Sequence, residues 1–506
     1  MFKSKFWLTT FFIYQFFSTL LIAIGVWPKE VVYLNLLLQV VGVFVFDIEY
    51  AVYSVVLSIP FYLVIPNSRL DTFSAWRIVF AFLFLVFLYK EKDFFRKGAL
   101  SRLSFFKWDK YLKYLFYAVL LSVAVSDQKV PGLKKIAFVI NIYLLYIVII
   151  HVIQSKERIL RLIKVSLIAT GGIVLFGFVQ LFISLGGSIY YFWQYWATFP
   201  ARVYYGRQFA DTALYSNSWL ASGKGGTTLR MFSILPDSHA FAVIAMFSIP
   251  FVTMLLFFYR KQWQVALIWA YVALATLAIS FSGTRGVWAG ILAPIILLSY
   301  LYFKHYGREL LKPVIYPIAL FILILVLSPL AQKVSVHFFK NQGSFLQRAE
   351  TVYDLNESSN QGRIQIWKDT LKLTTKNPFL GVGYGNFQLE VSDKESKSLN
   401  LPKRYITAHS QYFDILAETG LIGLIFFLWY LKNLARIFWD FFKSHYLYSE
   451  DGYVFFVVAT GIYMLWLFTY SLVDGTLMND RVLMFFFINL AICASIIKNY
   501  QQDLNA

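Results

Sequence analysis

Cysteine is nearly absent from the chain, and charge is scarce. The single thiol, Cys493, lies inside an apolar run; this excludes an intrachain disulfide framework and leaves the redox compartment unread. Charged residues fill 14% of 506 positions, well below the roughly 25% of soluble domains. Acids are the scarcer sign, 27 against 46 lysines and arginines, giving a formal net charge of +19. The six histidines are scattered, so no paired-histidine or Cys/His cluster supports a metal site. The acids Asp393, Glu395, Asp474 and Asp480 are the remaining metal candidates. No low-complexity tract or fixed-period repeat is present.

What fills the chain is apolar: 59% hydrophobic and 20% aromatic residues. That balance predicts an all-α polytopic membrane protein. A membrane helix needs roughly 17–25 mostly apolar residues. Fourteen stretches qualify or nearly so: about 7–27, 31–46, 48–66, 76–90, 111–126, 136–153, 162–184, 239–259, 263–282, 286–303, 313–330, 411–435, 453–473 and 482–498. The second and fourth are short, so the expectation is 12–14 transmembrane helices. Residues 7–27 follow a basic start, but they exceed a signal h-region and read as an uncleaved first span.

Lysine and arginine set the orientation. Clusters at Lys90–Lys113, Lys156–Lys164, Arg260–Lys261, Lys304–Lys312 and Lys432–Lys443 all fall on the cytoplasmic side when both termini are inside. The positive excess therefore reads as topology and contact with anionic membrane lipids, with no nucleic-acid partner. The same topology divides the chain into an N-terminal bundle (1–184), a periplasmic loop (185–238), further spans (239–330), a long periplasmic loop (331–409) and a C-terminal bundle (410–506). Inside the long loop Ile364, Trp367 and Leu371 recur at helical spacing, with Lys368 and Lys372 off that stripe, and Asn377-Pro378 ends the pattern. This predicts an amphipathic helix at the outer surface.

Three outer arginines stand against the inward bias of positive charge. Arg285 lies in Ser282-Gly-Thr-Arg-Gly286 where a helix begins, Arg363 opens the loop helix, and Arg230 precedes the eighth span. A guanidinium fork matches phosphate oxygens, and a helix start adds unpaired N–H groups. His409, in Thr407-Ala-His-Ser-Gln-Tyr412, is the candidate base; a first-turn position beside the positive helix end would keep its imidazole neutral. Of the other outer histidines, His239 reads as a first-turn helix residue and His337 has no recommending neighbours. Glu418 lies nine residues beyond His409, about 13 Å along a helix and on nearly the opposite face, so it is a supporting acid that needs its own partner. Gly381-Val-Gly-Tyr-Gly385 follows a helix and reads as a turn, not a nucleotide loop.

Ser282-Gly-Thr-Arg-Gly286, then Gly362-Arg-Ile-Gln-Ile-Trp367 with Asn377-Pro-Phe-Leu-Gly-Val-Gly-Tyr-Gly-Asn-Phe387, then Ala408-His-Ser-Gln-Tyr412 with Ala417-Glu-Thr-Gly-Leu-Ile-Gly423, occur in that order. Together they make residues 240–430 resemble the O-antigen ligase and polymerase superfamily, the Wzy-C type domain. The resemblance implies a GT-C type fold in the inner membrane and a metal-independent, inverting glycosyltransferase without cofactor, its site facing the periplasm. It further implies an undecaprenyl-diphosphate-linked glycan as donor and a glycolipid or growing glycan as acceptor. By the same resemblance Arg285, Arg363 and Arg230 hold the donor diphosphate and His409 is the general base. Ser410 departs from the asparagine that many members carry after the histidine. Protein O-oligosaccharyltransferases share these motifs. A transporter or flippase is the alternative of another class; a path through to the cytoplasm would favour it.

Overall fold

The protein is described by a computed structural model at residues 2–67, 73–91, 106–185, 188–207, 209–211, 219–223, 226–335, 358–390, 407–448 and 450–503. His337, Asp393 and Glu395 lie outside the described residues. The N-terminal part contains α1 (Phe2–Ala23), α2 (Val31–Val45), α3 (Ile48–Leu57), α4 (Trp76–Lys90), α5 (Asp109–Val125), α6 (Lys129–Val152) and α7 (Lys156–Leu185). Next come α8 (Ile189–Thr198), α9 (Pro200–Tyr205) and an antiparallel hairpin, β1 (Leu220–Gly223) and β2 (Gly226–Leu229), with Leu220 opposite Leu229. The rest is α10 (Ser238–Thr253), α11 (Gln262–Phe281), α12 (Arg285–Gly290), α13 (Leu292–Phe303), α14 (Arg308–Ser335), α15 (Ser358–Lys376), α16 (Gln411–His445), α17 (Gly452–Tyr470) and α18 (Asp480–Asp503).

Each of the fourteen apolar stretches contains helix, and among the described residues ten helices are long and apolar enough to cross a membrane. The chain is an all-α multi-pass membrane protein apart from the small hairpin. The third stretch departs from expectation. Its helix stops at Leu57, a short 3₁₀ turn over Ile59–Phe61 follows, and Val64 then pairs its N–H with the Val203 carbonyl. Ten helical residues rise only about 15 Å, so part of this stretch is irregular backbone. Such backbone is tolerated at membrane depth only where protein covers it, and residues 51–60 are buried throughout.

Burial sorts the helices into centre and rim. Windows of Ser238–Phe257 and Asp480–Gln502 are 89% buried, against 28% for Phe6–Ala23, so α10 and α18 form the centre and α1 faces outward. Helix α10 packs on α7, α11, α17 and α18. Polar side chains tie the rim helices together. Gln15 donates to Gln39 (2.6 Å), Ser58 donates to Gln15 (2.5 Å), and Tyr14 donates to Asn35 (2.9 Å). In an apolar surround these bonds supply the specificity that hydrophobicity cannot. Arg481, 1% exposed, is a tie that the sequence did not reveal: it donates to the Tyr62 carbonyl at 2.8 Å and lies over the Tyr204 and Tyr205 rings.

Helix α16 has 35 residues, about 52 Å of helix, longer than the ~30 Å hydrocarbon core. It is broken at Gly420, whose φ of 65° and ψ of −166° are open only to glycine. The amides of Leu421 and Ile422 leave the ladder and bond Pro378 and Phe379 carbonyls (2.8 and 3.3 Å). In return Val382 and Gly383 amides donate to Ala417 and Glu418 carbonyls (2.9 and 3.2 Å). The glycine-rich segment is thus a turn, as expected, and also the strap that satisfies the break. Gly381, at φ +68°, has no room for a Cβ, which would lie 2.4 Å from the Ala417 carbonyl oxygen.

Candidate functional site

Six chain segments converge at one end of the bundle: the hairpin exit, the starts of α10 and α12, helix α15, the 407–411 turn and the α17–α18 link. Hydrogen bonds across the segments set their positions. Arg230 follows β2, and its backbone N–H donates to the Trp219 carbonyl (2.9 Å). Met231 N–H then donates to Phe281 (3.1 Å), locking this strand exit to the end of α11. Asp237 caps α10 by accepting from Ala240 N–H (2.8 Å), which fixes the following His239 in the first turn, as the sequence predicted.

The Arg230 guanidinium spans the gap. Nε donates to the Ser282 carbonyl (3.1 Å), while Nη2 donates to Thr284 Oγ1 (3.3 Å) and lies 3.2 Å from His239 Nε2. Guanidinium nitrogens only donate, so Nε2 accepts and the ring proton sits on Nδ1. Nδ1 is 2.7 Å from the Tyr470 hydroxyl, in hydrogen-bond alignment, and 2.6 Å from Asp474 Oδ2, nearer but off the donor axis. Arg230, His239, Tyr470 and Asp474 therefore form one connected polar chain. Burial depresses the Arg230 guanidinium to about 10, and the Arg363 charge acts the same way against the pull of Tyr470, Asp237 and Asp474. It stays cationic at neutral pH. Burial alone would raise the Asp474 carboxyl; His239, His409 and Arg363 reverse this and hold it below the usual carboxylate range.

Arg285 stands immediately after Thr284, the residue that accepts from Arg230, and is half-buried at the first position of α12. Its neighbour Gly286 lies tight against the α17 end, where an added Cβ would come 2.7 Å from Val473 and 2.8 Å from Tyr470. So the arginine sits beside the same link that carries Asp474.

His409 does not occupy the first turn of α16. Ser410 is the cap, accepting from Phe413 N–H (3.4 Å), and His409 precedes it with φ +48°. A left-handed histidine is a mildly strained backbone, retained where surroundings over-determine it. Here Ala408 N–H donates to Asp414 (2.9 Å), Gln411 N–H donates to the Ser471 carbonyl (2.9 Å), and Trp367 Nε1 donates to the Ala408 carbonyl (2.9 Å). The neutral-base expectation needs a different cause from the helix dipole. Burial comes first in lowering the His409 imidazole below its ordinary value, with Arg363 and His239 adding to it and Asp474 and Asp237 opposing. Its Nδ1 is buried and has no partner among the described residues.

Helix α15 begins at Ser358, so Arg363 lies in its second turn and does not open it. The buried face also differs from the expected stripe: Thr370 and Leu373 are buried with Ile366 packed beside them, whereas Leu371 is exposed. The shift arises because α15 docks through Trp367, stacked on Phe413 with centroids 5.6 Å apart. Arg363 is one turn before Trp367 on the same helix face, which carries it toward His409. Its charge is felt at Arg230, His409 and Asp474 alike.

Glu418 is elsewhere. It pairs with Lys135 of α6 at 2.6 Å, and its carbonyl accepts from Ser122 Oγ at 2.5 Å. This ion pair joins α16 to α6. Among the described residues no three His, Cys, Asp or Glu converge as metal ligands. Asp480, one of the four acids read as metal candidates, accepts from Trp76 Nε1 (3.2 Å) and lies beside Arg481. His239, Tyr470 and Asp474 are the site members that sequence reasoning underrated. Two of the His239 partners, Tyr470 and Asp474, are more than 230 residues away in the chain, and only Arg230 is near in sequence.

Residues 270–428 match the model of a family described as O-antigen ligase. The match spans α12, α15 with its strap, the 407–411 turn with His409, and the start of α16. An uncharacterized protein of Haemophilus influenzae is 26% identical over 209 residues, which cover 38% of this chain and 49% of that relative. The shared region is thus about half of the relative's length.

Proposed function

From a chain whose residues 270–428 carry an O-antigen ligase domain, we propose a glycan transferase of surface polysaccharide synthesis, acting at the His409 site on the periplasmic face of the inner membrane. The donor is a glycan on a polyprenyl diphosphate, and the acceptor is a hydroxyl of a glycolipid or growing glycan. The observation that carries this reading is a half-buried imidazole whose buried Nδ1 has no partner among the described residues, in the common field of Arg363, Asp474 and His239.

His409 takes the proton of the acceptor hydroxyl as its oxygen bonds the anomeric carbon. The bond from that carbon to the diphosphate oxygen breaks, and its electron pair leaves with the lipid diphosphate. Arg230, Arg285 and Arg363 supply three guanidinium groups where that charge grows, while Asp474 orients His239 behind Arg230. A single displacement from the face opposite the leaving group inverts the anomeric centre. No step calls on a metal or cofactor.

The test is genetic and chemical together. A deletion strain is complemented with wild-type or His409→Ala protein, and its surface glycans are sized. The wild type restores attached or extended glycan; His409→Ala, present in the membrane at equal level, restores none. Unattached full-length glycan in the deletion identifies a ligase, and single repeats identify a polymerase. Restoration by His409→Ala refutes the assignment of the base.

A further inference from the structure

A cleft of about 1000 Å3 runs between α5, α6, α16 and α18, and the glycan-transfer reading leaves most of it unused. One end is lined by Gln411, Ile415 and Met478, beside the 407–411 turn; the other is lined by Lys110, Lys113 and Arg436. Arg436 lies 25 residues beyond Gln411, about 37 Å of helix before the bend at Gly420 is allowed for. The cations therefore sit at the opposite face of the molecule from His409.

The charge at that far end is unbalanced. Lys107, Lys110 and Lys113 are exposed, and none has a carboxylate within ion-pairing distance among the described residues. The two nearby acids are occupied. Asp109 is 4% exposed and turned inward, accepting from Tyr146 (2.9 Å) and Phe106 N–H (2.5 Å). Asp440 lies 3.6 Å from Arg436. Between the cations the wall is apolar, with Leu112, Phe116 and Ile437.

We propose that this end of the cleft is a binding site for one anionic glycerophospholipid, its phosphate among Lys107, Lys110 and Lys113 and its acyl chains along Leu112, Phe116 and Ile437. Acyl chains reach only from one membrane face toward the middle, which matches cations confined to one end. A diphosphate seated here would be a membrane thickness away from His409, so this is a separate site from the donor's. The inference stands independently of the glycan-transfer reading.

Purified full-length protein is titrated with dioleoyl phosphatidylglycerol or dioleoyl phosphatidylcholine, and bound lipid is counted by native mass spectrometry. The expected result is one phosphatidylglycerol retained and no phosphatidylcholine. Each lysine near an anionic headgroup contributes about a factor of five, so Lys110→Glu with Lys113→Glu lowers affinity by about 30-fold or more. Leu112→Trp, which fills the cleft and keeps the charges, also weakens binding and serves if the charge reversal does not fold. Equal retention of both lipids, unchanged phosphatidylglycerol affinity in these variants, or one-for-one displacement by a polyprenyl diphosphate overturns the proposal.

Discussion

Replacing Gly420 by alanine tests the docking of the glycine strap on α16. The native φ of 65° and ψ of −166° lie where side chains are excluded, a strain of about 1–3 kcal/mol for alanine. The new Cβ would also sit 2.3 Å from the Phe379 carbonyl carbon and oxygen, so strap and helix must part. Parting them loses the Leu421–Pro378 and Ile422–Phe379 hydrogen bonds, about 1 kcal/mol each. The sum, about 3–5 kcal/mol, is a loss of roughly 10²–10⁴ in protection from amide exchange. Hydrogen exchange followed by mass spectrometry should show this at residues 382–383 and 421–422, with little change in α10 or α18. Gly362 supplies the contrast: it lies inside α15 with no atom near an added Cβ, so Gly362→Ala should stabilise that helix by about 0.5–1 kcal/mol. Unaltered exchange in Gly420→Ala, or an equal loss in Gly362→Ala, would refute the account of the strap.

Lys135→Ala leaves Glu418, 6% exposed at the side chain, without its cation, and should destabilise the α6–α16 contact by about 3 kcal/mol, read as faster exchange in both helices; Lys135→Ala with Glu418→Gln should recover part of that loss. Arg285→Lys keeps the charge and loses the planar fork, so donor affinity should fall about tenfold while thermal stability is unchanged; equal donor binding would remove Arg285 from the diphosphate site. Arg481→Ala empties a fully buried guanidinium position and strands the Tyr62 carbonyl, so the variant should melt several degrees lower; an unchanged melting temperature would show that the tie is dispensable.

Hydropathy and helical period made the architecture legible, because each apolar stretch is a local signal that survives into the fold. The same locality explains the misses. Residues 48–66 look like a span, but Pro60 and the pairing of Val64 with Val203 end the helix at Leu57. The α15 stripe is displaced because one contact, Trp367 on Phe413, rotates the helix away from the face that spacing alone selects. Gly420 is invisible as a break, since its neighbours all favour helix and the strap that rescues their amides is some forty residues distant. For the site, motif residues His409, Arg285, Arg363 and Arg230 could be picked out individually as cations and a base. Asp474 and Tyr470 could not, because only tertiary packing carries them to His239. Glu418 was rightly expected to need a partner, but nothing local named Lys135.

The central claim is that His409, Arg363 and Asp474 share one electrostatic pocket. Burial depresses the His409 imidazole, so it is neutral and competent above its lowered value, and transfer should fail only as pH drops through that value, below 6.5. Arg363 lowers His409 and Asp474 raises it, so removing each charge has an opposite sign. The decisive measurement is the pH dependence of glycan transfer by purified wild-type, Arg363→Gln and Asp474→Asn proteins. The acid limb should move up in Arg363→Gln and down in Asp474→Asn; limbs that stay in place, or move in the same direction, would contradict a shared pocket.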